Sequence, residues 1–365
     1  MPPLDGVRVL DLSRVLAGPY CTMLLADLGA EVIKVERPGS GDETRSWGPP
    51  YAGGESAYYL SVNRGKRSVA IDLSTKEGQQ RALELAAESQ VVIENFRVGT
   101  AERMGLGYEH VAKLNPTVIY CSITGFGSDR EPVGRPGYDF VAQAESGLMS
   151  ITGEAGGEPM KVGVAVVDVL TGLHATAGIL AALYKGEGEK IEVSLLDSAL
   201  AGLVNVAQNT LMTGEEPQRH GNAHPNIVPY ETFEASDGWL AIAAANDGLY
   251  RKLCEAIGAP ELAEDPRFAS NPRRVENRQL LIPLIASRLA TKSAQEWLDD
   301  LEAAGVPAGK IRSVPEALRA AAEAGRAATT RVPHPTAGEI ELVNSPIRLR
   351  NDSLRPPEAP PLLGD

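Results

Sequence analysis

Cysteine is almost absent: Cys21, Cys121 and Cys254 are the three in 365 residues. They lie far apart, with no Cys-x-x-Cys pair and no histidine at ligand spacing. That excludes a disulfide framework and a zinc ribbon, and it fits reduced thiols in the cytoplasm. Histidine is scarce too, at five. His220 and His224 stand four apart, but among Gly, Asn and Pro rather than in a helix, so no metal is expected there. Excess positive charge is missing: the formal net charge is −13, which argues against broad binding of nucleic acid or anionic membrane. Glycine fingerprints are incomplete. Gly39-Ser-Gly41 lacks the third glycine of a dinucleotide loop and follows the second expected strand, and Gly125-Phe-Gly127 has the same defect. There is no Walker loop and no Gly-x-Ser-x-Gly elbow, so a serine hydrolase is not expected. Residues 1–6 lack a charged-then-apolar leader pattern, no run reads as long enough to span a membrane, and no repeat is visible.

What is present reads as a soluble globular chain, 43% apolar and 23% charged, of a length that suits two domains. Over the first 125 residues strand and helix signals alternate. Val7–Leu12, Val32–Val35, Ser68–Ile71, Val91–Glu94 and Val118–Ser122 read as strands. Pro19 opens a helix that Gly29 closes, and Ser74-Thr-Lys-Glu77 reads as a capping box. Such alternation implies parallel βαβ units with ligands at the carboxyl ends of the strands. Ser13-Arg14, Glu36-Arg37, Asn95-Phe96 and Thr124–Gly127 all follow strands and should gather on that edge. From Tyr230 onward the texture changes. A hairpin turns at Ser236-Asp-Gly238, three helical segments follow (249–257, 280–290, 294–304), and short strands return at 339–343 and 347–349.

One acidic residue stands out. Asp168 lies in Lys161-Val-Gly-Val-Ala-Val-Val-Asp168, after a strand-like apolar run and at the start of a helix-like one. A carboxylate there is costly to desolvate unless something satisfies or uses it. Two readings stay open. It caps the helix, or it stays ionised at the helix start and serves as a nucleophile.

The wording of the chain favours the second reading. Leu4-Asp-Gly-Val-Arg-Val-Leu-Asp-Leu12, Arg14-Val-Leu-Ala-Gly-Pro19, Leu28–Pro38, Gly41-Asp42, Val62–Ser68, Glu94-Asn-Phe96, Gly137-Tyr-Asp139, Asp168, Leu195-Leu-Asp-Ser198 and Pro361-Leu-Leu-Gly364 occur in that order. Together they resemble family III CoA-transferases over nearly the whole chain, although each piece alone is weak. The resemblance implies an α/β fold: a Rossmann-like large domain made from both chain ends, plus a smaller α+β domain, in an interlocked homodimer. On that pattern residues 1–205 form the large domain, 206–228 a linker, 229–312 the small domain, and 313–365 a linker and return.

The resemblance also implies a chemistry. Asp168 would be the nucleophile, forming a mixed anhydride and then an aspartyl-CoA thioester, with Asp139 orienting it and Tyr138 alongside. Coenzyme A would be a substrate rather than a resident cofactor, contacted by Leu16, Ala17, Arg37, Ile71, Asp72, Leu73, Ser74, Asn95, Phe96, Arg97 and Arg103. Arg37 and Arg103 are the phosphate ligands expected; their plain alternative is solvated surface arginines. The stretch Arg219–Tyr230 departs from the glycine-rich loop of formyl-CoA transferases, and with Thr44–Pro50 it looks closer to dicarboxylate members of succinyl-CoA:glutarate type. Arg219, His220 and His224 are therefore candidates for an acceptor carboxylate, with a plain linker as the alternative. The loop Tyr184–Lys190 is short for the family, and relatives continue past Asp365 into a further helix. Two other functions stay open: an α-methylacyl-CoA racemase, and a non-catalytic acyl-CoA-binding protein. Tyr138 stands where the racemases place a histidine, and a phenol with an ordinary pKa near ~10 is a poor base at neutral pH. The partners expected are an acyl-CoA and a carboxylic acid, with no nucleic acid and no membrane.

Overall fold

A computed structural model describes residues 1–130 and 134–365. The contacts divide them into two compact units: 1–149, 161–215 and 321–365 form the first, and 150–160 with 216–320 the second. Four stretches fall elsewhere than the sequence boundaries placed them, one of them being residues 216–228, which belong to the second unit rather than to a linker. Residues 150–160 pack with the second unit, residues 206–215 belong to the first, with 206–213 in a helix, and residues 313–320 stay in the second.

The first unit is built on a six-stranded parallel sheet: β1 (Arg8–Asp11), β2 (Glu31–Glu36), β3 (Lys66–Ala70), β4 (Val91–Glu94), β5 (Ile119–Thr124) and β6 (Glu189–Ser194). The order is β3-β2-β1-β4-β5-β6, so Val9 of β1 sits between Val32 of β2 and Val91 of β4. The chain winds outward one way from β1 and then the other, which opens a crevice at the carboxyl ends of β1 and β4. β1, β2, β4 and β5 are buried along most of their length because both faces are covered, with Asp11, Lys34 and Glu36 as buried charges among the apolar residues. Val9, Val32, Val91 and Cys121 pack on one side; Leu10, Ile33, Val92 and Tyr120 pack on the other. β6 was not foreseen: Glu189-Lys-Ile-Glu-Val-Ser194 alternates polar with apolar, as suits an edge strand.

Five helices of this unit matter for the site: α1 (Ala17–Asp27), α2 (Lys76–Ala87), α3 (Asp139–Glu145), α4 (Val166–Lys185) and α5 (Leu195–Gly202). α2 starts one residue later than its expected box. Thr75 accepts from the Gly78 N–H, while Ser74 bonds Asp72 instead. Residues 161–165 are bends rather than a strand. α4 corrects the expectation about long apolar runs, since it is 20 residues with mean hydropathy 1.7, enough by length and composition to cross a membrane. It nevertheless buries Val167, Asp168, Thr171, Gly172, Ala175, Ile179 and Ala182, and crosses α1 at Gly172, where an added Cβ would lie 2.7 Å from the Ala17 carbonyl oxygen. Residues 355–364 form a strap over the sheet's start. The Arg355 guanidinium donates to the Gly29 and Ala30 carbonyls, Arg45 to the Pro361 carbonyl, and Gly364 N–H to Ser68 Oγ at 3.1 Å.

The second unit carries an antiparallel sheet, β7 (Tyr230–Ala235), β8 (Gly238–Ala243) and β9 (Ala308–Lys310), in the order β9-β8-β7. Helices α6 (Asp247–Ala256), α7 (Arg278–Leu289) and α8 (Ala294–Ala303) cover it around Phe233, Leu240, Leu253, Leu281, Trp297 and Leu301. The capping box at Ser293 and Glu296 is formed as read. Back in the first unit, β10 (Thr329–His334) pairs with β11 (Gly338–Val343) as a two-stranded ribbon. Residues 347–349 are not a strand.

Candidate active site

The loop after β1 is pinned by side chains from three directions. Lys34 Nζ donates to the Ser13 carbonyl at 2.8 Å and pairs with Asp42 at 2.9 Å, both side chains fully buried. Asn95 accepts from Arg14 N–H and donates back to the Arg14 carbonyl. The Val15 N–H lies 3.3 Å from Asp42 Oδ2. These anchors hold Val15 at φ +70, a left-handed backbone that a β-branched residue adopts only when its surroundings impose it. A buried ionic network supports them. Burial pushes the Asp11 carboxyl up, but Lys66 and Lys34 outweigh burial and hold it at about 2. Burial takes the Lys66 ammonium down to about 8 against the pull of Asp11.

Asp168 is the third residue of α4, and the cap position belongs to Ala165, which offers no side-chain bond. The cap comes from 28 residues upstream. Asp139 Oδ1 accepts from Val167 N–H at 2.8 Å and from Asp168 N–H at 3.3 Å. Gln143 Nε2 donates to Asp139 Oδ2 at 2.6 Å, and Gln143 Oε1 takes the Val162 N–H, so the approach to α4 is tied to α3. The helix-cap reading of Asp168 thus passes to Asp139, and the Asp168 carboxyl is left to face a cavity. The expectation that Asp168 stays ionised is also corrected: burial, and then the charge of Asp139, push its pKa up to about 7. Glu94, at the end of β4, is another buried acid pushed to about 7, by burial first, even though Ser122 and the Phe96 N–H bond its charged form.

Asp168 opens onto a cavity of about 250 Å³ that Leu16, Ala17, Asn95, Phe96, Arg97 and Tyr138 also line. A neighbouring cavity of about 970 Å³ is lined by Arg37, Ile71, Asp72, Leu73, Ser74 and Phe96. Arg14, Glu43 and Phe96 border both, so the two adjoin at those side chains. Tyr138 is exposed and precedes α3, whose first residue is Asp139. Arg103 lines neither cavity; its Nη2 donates to Oγ1 of Thr100, which borders the larger one.

Arg219, His220 and His224 lie in the second unit. Arg219 is engaged in holding main chain, donating to the Ser150 and Gly157 carbonyls. His224 Nδ1 accepts from Asn226 N–H, its ring leans on Tyr230 at 5.3 Å, and Arg278 donates to its carbonyl. Burial, then the charge of Arg278, lowers the pKa of both histidines, so neither is a ready cation at neutral pH. Sequence reasoning missed Arg278, and it missed Arg135, which lines the Asp168 cavity. Among the described residues no group of three His, Cys, Asp or Glu is placed to hold a metal.

The fold and site define an α/β enzyme working at the carboxyl edge of a parallel sheet. Residues 4–365 match CoA-transferase family III; the chain belongs to that family and is an enzyme that transfers CoA. It is 44% identical to succinyl-CoA:glutarate CoA-transferase of Mus musculus over 368 residues, spanning all of this chain and 84% of the relative. It is 43% identical to succinate–glutarate CoA-transferase of Agrobacterium fabrum, across all of this chain and 94% of that one. Among solved structures, a CAIB/BAIF family protein from Brucella suis superposes with a TM-score of 0.86 at 42% identity, covering 99% of this chain and 96% of the other.

Proposed function

We propose that this enzyme moves CoA from succinyl-CoA, or a similar acyl-CoA, to a free dicarboxylic acid, with Asp168 as the covalent carrier. The observation that carries the reading is the Asp168 carboxyl, freed from capping by Asp139 and facing a small cavity that adjoins a larger one. The names of the mouse and Agrobacterium relatives support the substrate pair. The larger cavity would hold CoA, with Arg37 on its wall and Arg103 beside it offering charge to phosphate.

Each step exchanges one acyl bond for another. The Asp168 carboxylate attacks the donor thioester carbonyl, and the C–S bond breaks to give a mixed anhydride and CoA thiolate. Thiolate attacks the aspartyl carbonyl, releasing the donor acid and leaving an aspartyl-CoA thioester. The acceptor carboxylate attacks that thioester, and the returning thiolate takes the acceptor acyl group and frees Asp168. Covalent catalysis keeps the thioester energy within the enzyme throughout. Asp139 acts through the main chain, fixing where the Asp168 carboxyl stands. The racemase alternative needs a base and an acid on opposite faces of the α-carbon; Tyr138 suits packing against the ligand better than proton abstraction. In this reading the enzyme is a cytoplasmic interlocked homodimer, with no resident cofactor, no nucleic acid and no membrane partner.

The test is to incubate the enzyme with succinyl-CoA alone, quench it, and read intact and peptide masses. A CoA adduct on the peptide carrying Asp168, absent in Asp168→Ala, is expected. Turnover near the wild-type rate in Asp168→Ala would sink the mechanism. Rapid deuterium uptake at the α-carbon of a 2-methylacyl-CoA would favour the racemase.

A further inference from the structure

We infer that Arg135 recognises the second carboxylate of the acyl group and thereby sets the preference for dicarboxylates, an inference that rests on the transferase reading above. Three cations line the Asp168 cavity among the described residues: Arg14, Arg97 and Arg135. Arg14 pairs with Glu43, and both also border the larger cavity, which places them on the CoA side. Arg97 follows Phe96, which borders both cavities too. Arg97 and Arg135 both border the Asp168 cavity and not the larger one, and Arg135 is the one that comes from another segment, the loop after β5.

Its guanidinium is held in a fixed plane. The group stacks on the buried Phe126 ring, 4.2 Å from its centroid, and forks onto Glu145, Nη1 lying 2.9 Å from Oε2. The loop itself is pinned at its ends. Gly125 and Gly137 meet back to back, and a Cβ on Gly137 would stand 2.6 Å from the Gly125 Cα. The same short segment therefore carries Arg135 into the cavity and, four residues on, sets Asp139 under the start of α4. Glu145 takes one fork of the half-exposed guanidinium and fixes its plane, which leaves the donors on its other edges to meet a second carboxylate at little entropic cost.

The chemistry adds a constraint. Donor and acceptor acyl groups occupy the Asp168 acyl centre in turn, so one cavity must accept both remote ends. At about 250 Å³ it is smaller than a pocket for a drug-sized ligand and leaves room for a short chain. A far carboxylate without a cation would be desolvated unpaired, which is costly. Arg135 supplies that cation for the leaving and the entering acid alike, so selectivity toward donors and toward acceptors should move together.

The experiment measures kcat/KM for glutarate and succinate against pentanoate and butyrate as acceptors, and for succinyl-CoA against butyryl-CoA as donors. It uses the wild-type chain, Arg135→Gln and Arg135→Lys. Wild type should favour the dicarboxylates. In Arg135→Gln the dicarboxylate-to-monocarboxylate ratio should fall about tenfold to a hundredfold, on both sides of the reaction. Arg135→Lys, which keeps charge but loses the fork, should fall between. An unchanged ratio, an equal loss for both acid classes, or a KM that rises for every acyl-CoA regardless of its acyl group would overturn the assignment; the last would mark a phosphate contact. A wild-type enzyme that favours monocarboxylates would overturn the dicarboxylate reading itself, before any variant is read.

Discussion

Asp168 is pulled two ways. Its position in the first turn of a helix favours the anion, whereas burial and the neighbouring Asp139 favour the neutral acid and win, at about 7. The unfolded chain ionises this group near its ordinary 3.8. Between that value and about 7 the folded state holds a proton that the unfolded state releases, so this group's contribution to stability declines as pH rises through that window and is flat above it. The accumulated loss amounts to at most about 4 kcal/mol. Asp168→Asn keeps the shape without the charge. It should be inactive yet more resistant to urea than wild type at pH 8, with the difference vanishing near pH 4. Equal midpoints at pH 8 would mean that ionising Asp168 beside Asp139 costs the folded state nothing. For the free wild-type enzyme, kcat/KM should fall about tenfold per pH unit below 7, because only the anion attacks. The location of this acid was legible from Lys161–Ala175, but its protonation was not. That depends on burial first and then on Asp139, which is 29 residues away in sequence and touches it only through the fold.

Helix crossings carry the site as much as side chains do. α1 presents Leu16 and Ala17 at its start, α4 presents Asp168, and the two meet where Gly172 leaves no room for a Cβ. Gly172→Ala should push the helices apart, costing about 1–3 kcal/mol of stability and lowering kcat more than it raises KM for the acyl-CoA. Thermal unfolding together with steady-state kinetics would check both, and an unshifted kcat would argue that the crossing does not set the site. The order of elements from β1 to β5 could be read from apolar runs and turn residues, since β1, β2, β4 and β5 are largely buried. β6 escaped notice because half of it is charged. The start of α2 slipped by one because Ser74 and Thr75 are both able to cap, and local pattern cannot choose between adjacent hydroxyls. Arg135 escaped for a different reason: an arginine in a Gly/Pro-rich stretch carries no local mark of the cavity it lines. Arg219 drew attention from its surroundings, and its guanidinium proves to be engaged with carbonyl groups.

At the scale of the molecule, the first unit exposes large apolar side chains on three consecutive helices. Leu173, Tyr184, Leu200, Val204, Leu211 and Met212 are all exposed, on α4, α5 and the helix that follows them (Val204–Thr213), with Tyr184 at 96% and Leu211 at 79%. Consecutive helices with such faces mark an interaction surface, and a second copy fits the interlocked dimer proposed above. Sedimentation should give twice the 38.7 kDa chain mass, and linked chains should keep that mass on dilution until denaturant unfolds them. A monomer at micromolar concentration would count against the arrangement.

The strap formed by residues 355–364 has a consequence for how the protein is made. Its last contact joins Gly364 to Ser68, 296 positions apart. β3, an edge strand of the sheet, leaves the ribosome first and lacks this contact until the strap follows. At ordinary elongation rates that wait is roughly 15–60 s. The nascent chain therefore passes through a long exposed stage during translation, in which β3 can pair with a strand of another molecule. Slowing elongation late in the message should lower the soluble yield, while leaving every residue of the finished enzyme unchanged.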